Sequence, residues 1–164
     1  MKILAIDPSG NFNEGKGTTG WALLDETCNP IACGQIRAED FKTQISYWNA
    51  IVSLADNLEP DYIVIEDFLL YANKSQVQIH SRFETAKLIG VLEYYFKDKN
   101  ITLQRAVDVK KRWNDDMLVR KGYITKNGSR YYAAGVLVSE HIRDAIRHGV
   151  HFITFKLNKN VRRK

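Results

Sequence analysis

At 164 residues, 45% of them hydrophobic, the chain is long enough to bury one well-formed core and too short for two ordinary domains. No apolar run approaches the ~20 residues that cross a bilayer, the first strand begins too early to leave room for a signal peptide, and Cys28 and Cys33 can make neither a disulfide framework nor a zinc site, so a soluble cytoplasmic protein with reduced thiols is expected. The net charge of +5 is unevenly divided: residues 1–96 carry 7 Lys/Arg against 13 Asp/Glu and residues 97–164 carry 17 against 6. An acidic half able to supply metal ligands is thus joined to a basic half that attracts a polyanion, or else presents a merely solvated surface.

The first element is the unbroken apolar run Lys2-Ile3-Leu4-Ala5-Ile6-Asp7, bounded by Pro8-Ser9-Gly10. It reads as a buried strand, because a strand with one wet face would alternate. It delivers Asp7 to its carboxyl end, where ligands bind in open α/β sheets, so Asp7 is either a catalytic candidate or the cap of the next turn. The following Gly10-Asn11-Phe12-Asn13-Glu14-Gly15-Lys16 matches phosphate-loop spacing as far as its lysine. The match fails at Gly17, where a Ser or Thr must bind Mg²⁺, and Gly20 to Asp25 reads as a strand instead of a helix, so an ATP site is rejected.

Thr18 to Asp25 and Ile31 to Arg37 are two further strands, joined through Asn29-Pro30 into a meander. Phe41, Ile45, Trp48, Ile51, Val52, Ala55 and Leu58 then form one helical stripe, a core face ended by Pro60. Asp61 to Ile65 repeats the design of the first strand and delivers Glu66 and Asp67. With a helix between them the two strands run parallel, about 4.8 Å apart when adjacent, so their terminal acids can share an ion. Glu66 and Asp67 point to opposite faces, and a surface acid is the competing reading for Glu66.

A long helix is expected over Ser75 to Lys97, a fifth strand over Ile101 to Leu103, and a basic helix over Asp108 to Val119 that groups Lys110, Lys111 and Arg112 with Trp113. Tyr123 to Tyr132 is a β-hairpin whose Asn127-Gly128 suits a type I′ turn. Lys121, Lys126 and Arg130 beside Tyr123, Tyr131 and Tyr132 give the mix that grips phosphates and stacks on bases, unless the tyrosines simply pack the hairpin. The last helix, Ser139 to Phe155, buries Ile142, Ala145, Ile146, Gly149 and Ile153. His141 and Asp144, three apart, share a face beside that stripe, with Glu140 as a rival for the place of His141.

Together, Ile6-Asp7-Pro8-Ser9, Thr18-Thr19-Gly20-Trp21, Ile63-Val64-Ile65-Glu66 and His141-Ile142-Arg143-Asp144-Ala145 resemble the RuvC-type Holliday junction resolvases of the RNase H-like superfamily, over nearly the whole chain. Brevity and a divergent third quarter look more like phage-encoded members. The resemblance implies an α/β fold, an RNase H-like mixed five-stranded sheet in βββαβαβα order with helices on both faces and a β-hairpin inserted near 123–132. One domain would span 1–155, with a basic tail over 156–164. It implies a Mg²⁺-dependent endonuclease that cuts four-way junctions and other branched DNA such as forks and flaps. Asp7, Glu66, His141 and Asp144 would bind two Mg²⁺ or Mn²⁺ ions, Asp7 bridging both, Glu66 completing one and Asp144 with His141 the other, for an in-line displacement that leaves 5′-phosphate and 3′-hydroxyl ends. Val109-Lys110-Lys111 matches a segment that lies close to DNA in the family. Two symmetric nicks imply a homodimer, its interface on the long helix around Ser75 to Phe96.

Two departures from the family pattern bear on substrate choice. Cellular members carry a junction-opening phenylalanine three residues after the catalytic Glu, where this chain has Leu69, with Phe68, a candidate DNA contact, and Tyr71 on either side. The family's glycine-rich stretch after Val-Lys-Lys is replaced by Trp113-Asn114-Asp115-Asp116 and the hairpin, which implies a broader range of branches. Two other classes compete. Asp7 with Gly17-Thr18-Thr19-Gly20 also resembles the phosphate loop of actin-like ATPases and sugar kinases, which need two such domains where this chain provides one. A branched-DNA-binding protein without chemistry needs only the basic half, in which Lys156 to Lys164 would make nonspecific phosphate contacts.

Overall fold

The computed structural model describes residues 1–13, 15–68 and 83–157, and among these no helix is long and apolar enough to cross a membrane. Strands β1 (Lys2–Asp7), β2 (Thr18–Asp25) and β3 (Pro30–Arg37) form an antiparallel meander, and β4 (Tyr62–Asp67) and β5 (Ile101–Arg105) add parallel strands on the other side of β1. The sheet order is β3-β2-β1-β4-β5. Pro30 begins β3, an edge strand, where its missing N–H costs no ladder bond.

Alternation along the strands divides the core in two. Leu4, Ile6, Leu23, Ile63 and Ile65 face helices α1 (Gln44–Leu58) and α2 (Glu84–Tyr95), against Tyr47, Ile51, Leu88, Leu92 and Phe96. Ile3, Ala5, Ala22, Leu24 and Val64 face α5 (Glu140–Phe152), against Ile142, Ala145, Ile146 and Val150. Gly149 lets α5 lie close: a Cβ there would stand 2.5 Å from Leu24 Cδ1 and 3.3 Å from the Ala5 Cβ.

Several expected elements are corrected. Helix α1 starts at Gln44 with Thr43 as its cap, so Phe41 lies outside the helical spacing. The buried set becomes Tyr47, Trp48, Ile51, Val52 and Ala55, and Ile45 is 63% exposed. The basic helix over Asp108 to Val119 is two short ones, α3 (Ala106–Lys110) and α4 (Asp115–Arg120), because the Asn114 side chain accepts from Met117 N at 2.8 Å and starts the second afresh. The hairpin pairs β6 (Thr125–Asn127) with β7 (Arg130–Ala133), and β8 (Val136–Leu137) extends it to three strands. Asn127 pairs with Arg130, so the turn is Gly128-Ser129, with only Gly128 at positive φ, the type II′ pattern in place of the expected I′. After α5, Ile153–Leu157 forms a π-helical turn whose Ile153 and Leu157 are buried. Leu69 and Tyr71, the start of the long helix at Ser75, and the tail beyond Leu157 lie outside the described residues.

Candidate active site

The strands deliver one row of side chains across the sheet. Gly20 pairs with Asp7 and with Gln35, Ile6 pairs with Ile65 just before Asp7 and Glu66, and Glu66 pairs with Gln104. Because side chains alternate, Gln35, Gly20, Asp7, Glu66 and Gln104 all lie on the α5 face. Asp67 lies on the other face, so Glu66 is the acid that β4 gives to this row.

Helix α5 is docked onto the row by its first turn. Its cap, Ser139, accepts from Ile142 N at 3.4 Å and donates its hydroxyl to Gln35 Oε1 at 2.7 Å. Gly20 makes room: a Cβ there would stand 2.2 Å from the carbonyl oxygen of His141. His141 Nδ1 consequently reaches 2.9 Å from Asp7 Oδ2, while Glu140 is exposed. Asp144 and His148, three and seven residues further on, fall on the same helical face. His148 Nε2 is 3.0 Å from Glu66 Oε2, and its Nδ1 is 3.0 Å from Gln104 Oε1.

Charge is concentrated here. Burial raises the pKa of Asp7 above the ordinary carboxylate value; the hydrogen bond from His141 opposes it, and the charges of Glu66 and Asp144 reinforce it. The same hydrogen bond raises the pKa of His141, against the effect of its own partial burial. Asp144 is buried with a cation on each oxygen: Lys110 Nζ lies 2.7 Å from Oδ2, and Arg147 donates to Oδ1. Asp115, on α4, receives Arg147 and Arg143, the latter at 3.0 Å, and so ties α4 to α5. Burial works against the Lys110 ammonium, but the hydrogen bond to Asp144 and the charges of Glu66, Asp144 and Asp7 outweigh it and raise its pKa.

The donor set of three carboxylates and one imidazole suits a hard divalent cation, and the repulsion felt by Asp7 is what such a cation relieves. Among the described residues, however, no three His, Cys, Asp or Glu side chains converge closely enough to hold an ion as they stand. Lys110 and Arg147 supply the positive charge around Asp144 instead. Sequence reading missed Arg147, His148, Gln104 and Asp115. The signal for His148 was present in the helical spacing 141, 144, 148, and that for Gln104 in the register of β5 on β4.

The remaining candidates are spread more widely. Lys111, Lys121, Lys126 and Arg130 are exposed, and Arg112 covers the Phe155 ring at 4.3 Å. Tyr131 is half-buried, with the Arg143 guanidinium 4.6 Å and Lys126 Nζ 5.4 Å from its ring centre. Tyr123 packs on Trp113 in the core, and burial pushes its hydroxyl up to about 12, so for this tyrosine packing is the correct reading. Phe68 packs against the core on the α1 and α2 face. An open cleft of about 470 Å³, bordered by Gln35, Arg130, Tyr131, Leu137, Ser139 and Arg143, runs between the edge of β3, the small sheet and the start of α5.

No family model matches the sequence, and no curated protein matches it. Solved structures do match. RuvC of T. thermophilus in complex with a Holliday junction substrate has a TM-score of 0.67 at 12% identity, covering 96% of this chain and 96% of that one. A second structure of Thermus thermophilus RuvC has a TM-score of 0.61 at 11% identity, with 96% and 97% covered. The Holliday junction resolvase of fowlpox virus gives 0.51 at 12% identity, with 94% and 99% covered. At these identities the likeness is one of fold. The mixed five-stranded sheet with helices on both faces is the RNase H-like fold of RuvC.

Proposed function

We propose that the protein is a metal-dependent endonuclease that cuts branched DNA, four-way junctions above all. The observation that carries this reading is the hydrogen bond that joins Asp7 at the end of β1 to His141 of α5, with Glu66 beside them in the same row. The shared fold adds support, since two of the matched proteins are described as acting on or binding Holliday junctions.

In this reading Asp7, Glu66, His141 and Asp144 would hold the Mg²⁺ or Mn²⁺ ions, two in number if the chemistry is in-line hydrolysis. Such ions, when bound, supply activation of the attacking water and stabilisation of the leaving 3′ oxygen. The chain's own part is to hold the substrate and the ligands still. Lys110, 2.7 Å from Asp144, is within reach of a phosphate near the acids. Lys111, Lys121, Lys126 and Arg130 attract the flanking backbone, and Tyr131 offers an aromatic face beside them. His141 holds Asp7 in one orientation.

Two symmetric nicks need two sites, so a homodimer belongs to the proposal. It is supported by a stripe on α2 in which Val91 is 38% and Tyr94 75% exposed, one turn apart, where an interface would cover them. A single nuclease domain over 1–155, a basic tail over 156–164 and a cytoplasmic site of action fit the same reading.

One observation favours a second reading, a branched-DNA-binding protein without chemistry: both oxygens of Asp144 already have cationic partners from the chain. The deciding experiment is cleavage of a labelled four-way junction beside a fork and a linear duplex, with and without Mg²⁺, for wild type and Asp7→Asn. Metal-dependent, paired nicks that disappear in a variant still able to bind are the expected result. Equal cutting of all branches makes it a general branch nuclease. Binding with no cutting at any Mg²⁺ or Mn²⁺ concentration sinks the enzymatic reading in favour of the second.

A further inference from the structure

We propose that His148 is a positioning residue for Glu66, itself steadied by Gln104, a role that rests on the metal-dependent reading of the site. His148 is fully buried within α5, so both ring nitrogens must find partners inside the protein. They do: Nε2 is 3.0 Å from Glu66 Oε2 and Nδ1 is 3.0 Å from Gln104 Oε1. An ionised carboxylate can only accept, so Nε2 carries a proton and donates to Glu66 whichever way round the Gln104 amide is turned. That amide is also buried, and its Nε2 has no partner among the described residues.

An apolar side chain in the place of His148 would pack α5 onto the sheet as Ala145 and Val150 do, but it would strip the buried Gln104 amide of its partner at Oε1 and Glu66 Oε2 of its donor. The reason for a histidine here is therefore polar, and even so one end of the Gln104 amide stays unpartnered among the described residues, which makes the arrangement costly. What it produces is a fixed Glu66. The side chain of Glu66 is 17% exposed and has three rotatable bonds, and a donor on Oε2 removes most of that freedom. Helix α5 then steadies each strand-end acid by a separate imidazole, His141 on Asp7 and His148 on Glu66. His141 is open to solvent and able to meet a ligand directly. His148 is sealed and acts only through Glu66. Partners of this kind, behind a metal-binding carboxylate, typically change metal affinity by about 10–100-fold when removed.

The test compares wild type, His148→Phe, His148→Gln and Gln104→Leu as full chains. Phe keeps the ring volume without a donor, Gln restores a donor toward Glu66, and Leu removes only the far partner. Four quantities are measured: Mn²⁺ affinity by calorimetry, junction affinity in chelator, the cutting rate at saturating junction, and the melting temperature. Expected for His148→Phe are a loss of about 10–100-fold in Mn²⁺ affinity, a lower saturated rate and unchanged junction affinity in chelator. His148→Gln should recover most of the metal affinity, and Gln104→Leu should show a smaller loss in the same direction. A folded His148→Phe with wild-type Mn²⁺ affinity and rate overturns the proposal. So does an equal loss of melting temperature and metal affinity in Phe and Gln variants alike, since that is packing. Should His148→Phe not fold, a Gln104→Leu that matches wild type in all four quantities overturns it as well. A wild type that neither binds Mn²⁺ nor cuts overturns the functional reading and this role together, which separates that failure from a failure of the role alone.

Discussion

The two faces of the sheet are cut from the same strands and packed in opposite ways. Toward α1 and α2 the strands present Leu4, Ile6, Leu23, Ile63 and Ile65, large apolar side chains against Tyr47, Leu88, Leu92 and Phe96. Toward α5 they present Ala5, Ala22 and Gly20 beside Ile3 and Leu24, and α5 buries Asp144, Arg147 and His148 over Gln104. Small residues under α5 bring its axis near the sheet, and nearness is what lets short polar side chains reach the strand ends. One face holds the fold together and the other holds charge in place.

The sharpest test of that division is a pair of substitutions, one on each face. If Asp7 holds an ion as proposed, Asp7→Asn should cut the rate of junction cleavage by about 10³-fold or more, because the loss of one central ligand removes several kcal/mol of transition-state stabilisation. Its melting temperature should not fall below wild type by more than a few degrees, since the surroundings of Asp7 already disfavour its charged form. Leu88→Ala on the opposite face should do the reverse. Leu88 is fully buried, so truncation should cost about 2–5 kcal/mol in urea unfolding while leaving the cleavage rate of the folded fraction unchanged. A large stability loss in the first variant or a rate loss in the second would merge the two faces into one.

Gly20→Ala sits where the division is built. The added Cβ would stand 2.2 Å from the His141 carbonyl, which is backbone and cannot rotate away, so the first turn of α5 must move. Stability should fall by about 1–3 kcal/mol, and cleavage should fall with it as His141 leaves Asp7. A smaller effect, confined to binding, is expected from Lys126→Ala with Arg130→Ala on the exposed hairpin. If each neutralises one phosphate, the slope of log affinity against log salt should flatten by about 1.8, with the saturated cutting rate unchanged. An unaltered slope removes the small sheet from the DNA interface.

How much of this was legible in the sequence follows the same division. Strands β1 and β4 were legible because each is an unbroken apolar run, and Asp7 and Glu66 stood out as the acids on which the two runs end. His141 and Asp144 were legible from their spacing beside an apolar stripe. Arg147 was not, and for His148 the spacing showed the shared face but not the burial, because charged and polar residues in the interior of a helix normally mark its wet side, and only the tertiary approach of α5 to small strand residues turns that side inward. Asn114, read as part of a continuous basic helix, is a cap, which local periodicity does not register. The hairpin turn was misassigned by one residue because Asn-Gly and Gly-Ser are both good two-residue turns, and the pairing of Asn127 with Arg130 selects the second.

The contact between His141 and Asp7 is the finest point of the contrast, and it has its own signature in pH. The pKa of His141 is raised above the ordinary 6.5, chiefly by the hydrogen bond to Asp7, with the charges of Asp7, Asp144 and Glu140 assisting against partial burial. Below 6.5 the ring is protonated in the folded and the unfolded chain alike, so the pair contributes its whole stability there. As pH rises through the folded value the ring loses its proton and that contribution disappears. In chelator, the His141 ring resonance of wild type should therefore titrate above 6.5, and the urea midpoint should decline over the same interval. Asp7→Asn should move the titration down toward the ordinary value and flatten the decline, because it removes the charge of the acceptor and leaves burial opposed only by Asp144 and Glu140. The effect is small, since the His141 side chain is 46% exposed and solvent screens the pair. An identical titration in both proteins would mean that α5 is not tied to β1 in solution, and the charged face would then lose the bond on which its order depends.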